Sequence, residues 1–177
     1  MKPMDLWKKH NRAVIVDVET SGQSAAYGGR VIEVGLVAVE DGYVVAELDT
    51  LINCGAVISF GAFRVHGISE AMLSGQPPPA EVWPQVTEFV GTSPLVAHNA
   101  PFDRSFVSRE LALLGQTLDN RWHCTVRLAR KRLPQLPNHR LETVYRYLFG
   151  ELPSTVQRHR ALDDARLAAR VWMELAK

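Results

Sequence analysis

Two carboxylates, Asp17 and Glu19, stand at alternate positions at the end of a β-branched run. Because side chains alternate along a strand, residues two apart point to the same face, so these carboxylates lie side by side. Such close like charges repel unless a cation lies between them, and oxygen ligands favour hard ions such as Mg²⁺ or Mn²⁺. Thr20, Ser21 and Gly22 follow and offer backbone N–H groups to a phosphate or sugar. The same pattern is also typical of a solvated strand end with an Asx or Ser/Thr turn.

A third carboxylate, Asp103, falls in the first turn of a predicted helix, with Asn99 as the expected N-cap and Pro101 in that first turn. Asp103 continues an apolar stripe through Val107 and Leu111, which predicts that its side chain points inward. A buried ionised carboxylate requires a metal, an arginine or a raised pKa. Compensation of the helix dipole is the alternative explanation for an acid at this position.

Two adjacent acids, Asp163 and Asp164, open the last predicted helix. Asp164 shares its stripe with Ala168 and Val171 and is predicted to point inward, whereas Asp163 faces solvent with possible ion pairing. His159 precedes them and is expected to project from the loop that enters the helix. A neutral imidazole beside a carboxylate-bound metal could take a proton from water at neutral pH, although a loop histidine is also compatible with a plain surface role.

Three early strands are predicted at residues 13–18, 31–39 and 43–52, with the hairpin dipeptide Asp41-Gly42 between the second and third. Their short connections predict an antiparallel meander. Afterwards the pattern alternates: helix at 80–90, strand at 95–98, helix at 101–114, and helical segments near 127–133, 141–149 and 161–176. Such alternation implies parallel crossovers, so we expect one α/β domain over residues 1–177.

Composition bounds the class of protein without giving its function. The hydrophobic fraction of 46% and the charged fraction of 22% argue against a disordered chain, and the net charge of +1 means that a polyanion would need a local basic patch. Cys54 and Cys124 lack the close spacing of a zinc site. The apolar run at 13–16 is cut short by Asp17, and the uncharged stretch at 50–63 is too short to cross a bilayer, so we expect a cytoplasmic, soluble protein.

Three segments carry a family resemblance by their residues, order and spacing: 14–22 (VIVDVETSG), 98–103 (HNAPFD) and 159–165 (HRALDDA). Lesser similarities lie at 65–68, 124–129 and 139–142, so the resemblance spans nearly the whole chain. Together these segments resemble the DEDDh, or DnaQ-like, 3′-to-5′ exonuclease family, which includes the epsilon proofreading subunit of DNA polymerase III and ribonuclease T.

The resemblance implies a ribonuclease H-like fold, with a mixed five-stranded sheet whose first three strands are antiparallel, flanked by helices. It implies hydrolysis of single-stranded DNA or RNA 3′ ends to nucleoside 5′-monophosphates, supported by two divalent ions, Mg²⁺ or Mn²⁺. Asp17, Glu19, Asp103 and Asp164 match the four acidic positions of the motif, as metal ligands, and His159 matches the histidine that acts as general base.

The resemblance also places His66, Asn99 and Phe102 in the pocket for the terminal nucleotide. Arg158 and Arg160 flank His159 and are expected to contact phosphate. A second basic cluster, at Arg127, Arg130, Lys131 and Arg132, fits either nucleic-acid contact or a solvated helix face.

A DNA polymerase is a further partner that the resemblance implies. Because the sequence ends with the helix of Asp164, at Lys177, we expect no carboxy-terminal docking extension. The rival interpretations are a non-catalytic nucleic-acid-binding module of the same fold, an endonuclease of the wider ribonuclease H-like superfamily, and a structural metal-binding protein.

Overall fold

The computed structural model describes residues 12–157 and 159–177. Five strands form one mixed sheet: β1 (Arg12–Thr20), β2 (Val31–Glu40), β3 (Tyr43–Leu51), β4 (Leu95–Ala97) and β5 (Trp122–Cys124). Their order is β3-β2-β1-β4-β5, in which β1–β2 and β2–β3 are antiparallel and β1–β4 and β4–β5 are parallel. The predicted fold class, including the antiparallel start and the parallel continuation, is therefore confirmed.

Seven helices connect and cover the sheet: α1 (Phe60–His66), α2 (Glu70–Leu73), α3 (Pro79–Val90), α4 (Ala100–Leu113), α5 (Thr125–Arg132), α6 (Leu141–Phe149) and α7 (Ala161–Leu175). The sequence analysis did not predict α1 and α2. They are only 7 and 4 residues long, so they are too short to display a helical apolar period. None of the described helices is both long and apolar enough to cross a membrane.

The two faces of β1 belong to different parts of the core. Val14 and Val16 pack in the cluster that also contains residues of α3 and α4, whereas Ala13 and Ile15 pack in the cluster formed with α7. Successive residues of a strand point to opposite faces, and both faces of this strand are covered. Helices on both sides therefore hold the central strand in place, which gives its end a rigid position.

Helix α7 begins directly against β2. A Cβ atom on Gly35 would lie 2.3 Å from the carbonyl carbon of Ala161 and 2.3 Å from the backbone nitrogen of Leu162. Only glycine leaves room for this approach, because real Cβ atoms do not come so close to backbone. The contact places the first turn of α7 beside the sheet at Gly35, the residue of β2 that directly follows the partner of Val18.

Candidate active site

Asp17 and Glu19 lie near the carboxyl end of β1, on the same side of the strand. Glu19 is paired with Glu33 of β2, and the register shifts between Glu19 and Thr20. A bulge of this kind bends a strand and commonly marks the edge of a functional site. The pair is therefore held by the centre of the sheet at the point where the chain turns away.

Five residues that the sequence analysis singled out line one cavity of about 270 Å³: Asp17, Glu19, Asp103, His159 and Asp164. They come from β1, from the first turn of α4, from the loop before α7 and from the first turn of α7. One ligand atom each of Glu19, His159 and Asp164 lies within 4.8 Å of the others. Three separate stretches of chain thus converge on one small space.

Burial raises the pKa of all four carboxyl groups in this cavity, and repulsion from the other acids adds to it for Asp17 and Glu19. Burial is the largest cause for Asp17, whose pKa lies well above its ordinary value, with further repulsion from Asp103 and Asp164. Burial followed by repulsion from Asp164 raises the pKa of Glu19 to about 8. Burial raises the pKa of Asp103 to about 8, against the opposing effect of N–H donors from Asp103 itself and Val18. The pKa of Asp164 rises to about 6 for the same first reason, opposed by His159.

The residues present fit bound divalent cations. Among the described residues, no lysine or arginine lines the cavity, so its carboxylates have no cationic side chain as a partner. The nearest arginine that acts on Glu19, Arg160, has its guanidinium bonded to Glu33. Clustered carboxylate oxygens are the ligands that hard divalent ions prefer. A cation would relieve the repulsion that raises these pKa values.

His159 projects from the loop before α7, as predicted, and its side chain is 49% exposed. Its backbone has a φ of 58°, and its N–H donates to Oδ2 of Asp164 over 3.2 Å. Imidazole Nδ1 lies 4.0 Å from the same oxygen. The neighbouring Asp163 accepts the N–H of Gln157 over 2.8 Å and pairs with Arg166. The two acids that open α7 thus hold the loop in which His159 lies, while only Asp164 reaches the cavity.

Four of the predicted substrate contacts line the same cavity: Thr20, Gly22, His66 and Phe102. Ser21 is buried and accepts the N–H of Arg30 over 3.0 Å, so its hydroxyl holds the loop of residues 21–30.

Asn99 lines a neighbouring cavity of about 890 Å³, which shares His98, His159 and Asp164 with the first. It occupies the N-cap position of α4, but in a left-handed conformation and without the predicted side-chain capping bond. Its carbonyl oxygen instead accepts the N–H of Phe102 over 2.9 Å. The short turn between β4 and α4 requires the left-handed residue here, and asparagine tolerates it better than most.

Both ring nitrogens of His66 form hydrogen bonds with backbone groups. Nδ1 accepts the N–H of Ile68 over 3.0 Å, so Nε2 carries the proton and donates to the carbonyl oxygen of Thr20 over 3.2 Å. Burial lowers the pKa of His66, which keeps this neutral form. His66 therefore holds α1 against the chain that follows Glu19, and it presents a ring face rather than a polar atom.

Of the two arginines predicted to contact phosphate, the described residues include one. Arg158 lies outside the described residues. Arg160 donates from Nε over 2.9 Å and from Nη2 over 2.5 Å to Glu33, and it lines a separate cavity with Asp49 and Arg166. Its guanidinium thus pairs with Glu33 at the junction between β2 and α7, and Arg160 is not among the residues that line the acid-rich cavity.

Three positioning residues were missed by the sequence analysis. Glu33 is 1% exposed and accepts the backbone N–H of Ala161, so it anchors the start of α7. Glu110 accepts from both Arg30 and the N–H of Val31. The sequence offers one signal for Glu33 and Glu110, which is an acid at a position where the apolar period predicts a buried side chain. This signal identifies Asp103, but it was not applied to these two glutamates.

The third positioning residue, His98, connects β4 to the chain before α6. Nε2 lies 2.9 Å from the carbonyl oxygen of His139, which requires the proton on Nε2, so Nδ1 accepts the hydroxyl of Thr125 over 2.8 Å. Burial lowers the pKa of His98 to about 4. The neutral imidazole thereby ties β4, α5 and the 134–140 segment together at the edge of the cavity.

A ribonuclease H-like sheet with four converging carboxylates and a loop histidine defines the class of DEDDh exonucleases. Residues 14–172 match the model of the RNase_T family, described as "Exonuclease". The chain belongs to this exonuclease family, and the predicted resemblance is confirmed.

Curated relatives include parts of replicative polymerases. The chain is 38% identical over 158 residues to a PolC-type DNA polymerase III of Clostridium perfringens, covering 89% of this chain and 11% of that protein. It is 34% identical over 163 residues to the DNA polymerase III subunit epsilon of Aquifex aeolicus, covering 92% of this chain and 79% of that subunit. The chain thus spans about a tenth of the PolC-type relatives and most of the epsilon subunit.

Solved structures share the fold. The structure described as exonuclease X in complex with 5′ overhanging duplex DNA is similar at a TM-score of 0.76 and 29% identity, covering 92% of this chain and 90% of that one. The nuclease domain of 3′hExo, described as a DEDDh family member bound to rAMP, has a TM-score of 0.76 at 15% identity, covering 93% and 90%. At that identity the second likeness supports the fold alone.

Proposed function

We propose that this protein is a metal-dependent 3′-to-5′ exonuclease that hydrolyses single-stranded DNA or RNA ends to nucleoside 5′-monophosphates. The observation that carries the proposal is the convergence of Asp17, Glu19, Asp103, Asp164 and His159 on one cavity without a cationic side chain among its described lining. Within residues 12–157 and 159–177, the buried structural acids Glu33 and Glu110 are paired with arginine, whereas the four carboxylates of the cavity pair with none.

Asp17, Glu19, Asp103 and Asp164 would hold two divalent ions, Mg²⁺ or Mn²⁺. Such ions supply positive charge to the phosphate in the transition state and lower the pKa of water. The four carboxylates bind and orient, since they have no protons to give once a cation is beside them.

His159 is the group that moves a proton in this proposal. Half of its side chain is open to solvent and it faces two connected cavities, so water reaches the imidazole. As general base it would accept the proton of the attacking water, a contribution of about 10²- to 10⁴-fold in rate. The backbone bond from His159 to Asp164 keeps the imidazole beside the carboxylates.

The shape of the cavity favours the end of a strand. Its volume of about 270 Å³ is at the small end for ligand pockets, and Ala62, Val65 and Phe102 form an apolar wall beside the carboxylates. This wall is suited to one base, with the phosphate among the acids. A continuous strand would need space on both sides of the scissile bond, so the geometry supports an exonuclease over an endonuclease.

The relatives support the polarity and a DNA substrate. Exonuclease X was solved with a 5′ overhanging duplex, which is a DNA with recessed 3′ ends. The PolC-type and epsilon relatives are named as parts of DNA polymerase III, which also supports a polymerase as a partner of this chain. Co-purification with a DNA polymerase is the direct test of that partner.

A time course with 5′-labelled single-stranded DNA and RNA of equal sequence tests the proposal, with Mg²⁺, Mn²⁺ or chelator. We expect a ladder of labelled products that shortens one nucleotide at a time, and no products with chelator. Immediate release of labelled mononucleotide would reverse the polarity. Cleavage of a circular single strand would identify an endonuclease, and binding without any cleavage would identify a non-catalytic module.

His159→Ala separates proton transfer from binding. We expect kcat to fall by about 10²- to 10⁴-fold while the Kd for the oligonucleotide changes little, because the imidazole acts on water. Glu40→Gln is the control, since Glu40 is exposed at the end of β2 and does not line the cavity. A wild-type kcat in His159→Ala would reject the general-base role.

A further inference from the structure

The acid-rich cavity cannot by itself retain a polyanionic strand. Its described lining contains no arginine or lysine, and the net charge of the whole protein is only +1. Bound divalent ions would neutralise the carboxylates and one phosphate. Phosphates further along a strand therefore need cationic groups outside this cavity.

Two neighbouring cavities contain such groups. The first, of about 890 Å³, shares His98, His159 and Asp164 with the acid-rich cavity and is lined by Arg130 and Arg140. The second, of about 420 Å³, is lined by Arg104 and Arg127 together with Ala100, Pro101, Ser105, Ser108, Trp122 and Cys124. Asn99 lines the first cavity and Ala100 the second, so the two are adjacent along the start of α4.

We name Arg104, Arg127, Arg130 and Arg140 the arginine strip. All four are exposed, and within residues 12–157 and 159–177 none forms an ion pair. Glu142 also lines the larger cavity and is engaged in an interaction of its own. By contrast, Arg30, Arg146, Arg160 and Arg166 each bond a glutamate. Arginines that remain free beside open cavities are available to an external anion.

The helices present these groups on their open faces. On α4, Arg104 and Ser108 are one turn apart and exposed, while Asp103 and Val107 beside them are buried. On α5, Arg127 and Arg130 are three residues apart, so they are neighbours on the helix surface. Guanidinium groups bind phosphate oxygens in bidentate fashion, and the hydroxyl of Ser108 adds a short donor, whereas that of Ser105 donates to the carbonyl oxygen of Phe102.

We propose that the arginine strip binds the sugar-phosphate backbone of the strand upstream of the terminal nucleotide. The strand end lies in the acid-rich cavity, the next phosphates meet Arg130 and Arg140, and the following ones meet Arg104 and Arg127. Trp122 provides an aromatic wall for a base in the second cavity. The strip makes cleavage depend on strand length, a property that the acid-rich cavity alone does not confer.

This inference rests on the proposed exonuclease function, and its test keeps the two apart. The values of kcat/KM are measured for a dinucleotide with a free 5′-hydroxyl, which has one phosphate, and for a dodecanucleotide of the same sugar. The proteins are wild type, Arg104→Gln/Arg127→Gln and Arg130→Gln/Arg140→Gln. If the proposed function fails, the wild type cleaves neither substrate; if only the strip fails, the wild type cleaves both and the variants behave like it.

Lys177→Gln is the matched control because it also removes positive charge. Lys177 lines a cavity with Asp41 and Gly42 at the β2–β3 turn, at the other end of the sheet from Glu19. It should leave the ratio of dodecanucleotide to dinucleotide cleavage unchanged. The control removes one positive charge and each double variant removes two. A logarithmic decrease in the control half as large as that in the double variants would therefore mean that net charge acts, and it would overturn the strip.

For each double variant we expect that ratio to fall about tenfold or more at low salt. The slope of log Kd against log salt for the dodecanucleotide should decrease by about 0.7 for each phosphate that the variant no longer binds. An unchanged ratio and an unchanged salt slope in both variants would overturn the proposal. The free arginines would then serve another partner, such as an acidic protein surface.

Discussion

Helix α4 buries two carboxylates two turns apart, Asp103 and Glu110, and the two differ in the partners that surround them. Asp103 is 3% exposed and Glu110 is 1% exposed. Glu110 receives Nε and Nη2 of Arg30 and the N–H of Val31, all at 2.8 to 3.0 Å. Asp103 receives backbone N–H groups only, lies among other acids and has a pKa raised to about 8.

The difference teaches that burial alone does not identify a functional acid. When a buried carboxylate pairs with an arginine, its negative charge is compensated. The ion pair then helps to hold two segments of the chain together. A buried carboxylate without a cationic partner destabilises the protein when no ligand is bound. Its presence is explained by the cation that it binds. The pairing state of each acid, rather than its exposure, separates the site from the scaffold.

Among the substitutions that test this comparison of the two acids, Asp103→Asn should have the largest effect. We expect kcat/KM for an oligonucleotide to fall by about 10²- to 10³-fold or more, because a charged ligand is lost where the reaction needs it. The unfolding free energy measured by urea in chelator should stay equal or increase, since an uncompensated charge is removed. A variant that is clearly less stable and still active would contradict the assignment of Asp103 to the site.

Glu110→Gln is the corresponding change at the other end of α4, and its effect should fall on stability. We expect the unfolding free energy to decrease by about 1 to 3 kcal/mol, the cost of a weakened buried hydrogen-bonded charge. Arg30 is 24% exposed, so water compensates part of its lost partner and keeps the effect below that of a fully buried pair. Urea unfolding in chelator, beside Asp103→Asn, gives the measurement; equal shifts in both variants would remove the distinction between the two acids.

The pH dependence of stability should distinguish the same two acids. Because the pKa of Asp103 in the folded chain is raised to about 8, the folded state keeps a proton that the unfolded state loses above about 4. Stability therefore decreases as pH rises through this window, by linkage. The stability gained by Asp103→Asn should grow between pH 4 and pH 8 in chelator. A gain that shrinks as pH rises would contradict the raised pKa.

The smallest effect is expected at Asp163, the neighbour of Asp164. Asp163→Asn should change the unfolding free energy by about 1 kcal/mol, because Asp163 is 18% exposed and its contacts with Arg166 and the N–H of Gln157 are weakened rather than removed. Asp164→Asn, one residue later, should abolish metal-supported cleavage. Thermal unfolding and the end-labelled assay compare the two, and an inactive Asp163→Asn would show that the contact between Asp163 and Gln157 is required for turnover.

Local sequence was sufficient for the long elements and for the inward direction of Asp103 and Asp164. Their apolar periods extend over several turns, and Val107, Leu111, Ala168 and Val171 are buried as the stripes predict. Helix α1 was not predicted, because it has only seven residues and no buried apolar face. Its apolar residues Phe60, Phe63 and Val65 are exposed. Its signal was only the capping serine at Ser59 and the left-handed Gly67.

The roles of the arginines and of Glu33 could not be derived from the sequence. Arg160 stands beside His159 in the chain, yet its side chain reaches back to Glu33, 127 residues earlier, on β2. A contact over that separation depends on how α7 docks at Gly35, which no local pattern contains. Proximity in sequence therefore gave no sign of the ion pair with Glu33, and the phosphate contact of Arg160 stays a prediction.

The sequence by itself determined the identity of the reactive groups, because carboxylates at a strand end and on inward helical stripes follow from periods of two and of 3.6 residues. Only the tertiary structure decided which buried acids remain without an arginine, because pairing is set by the docking of distant segments. In this protein that docking leaves Asp17, Glu19, Asp103 and Asp164 together and neutralises Glu33 and Glu110.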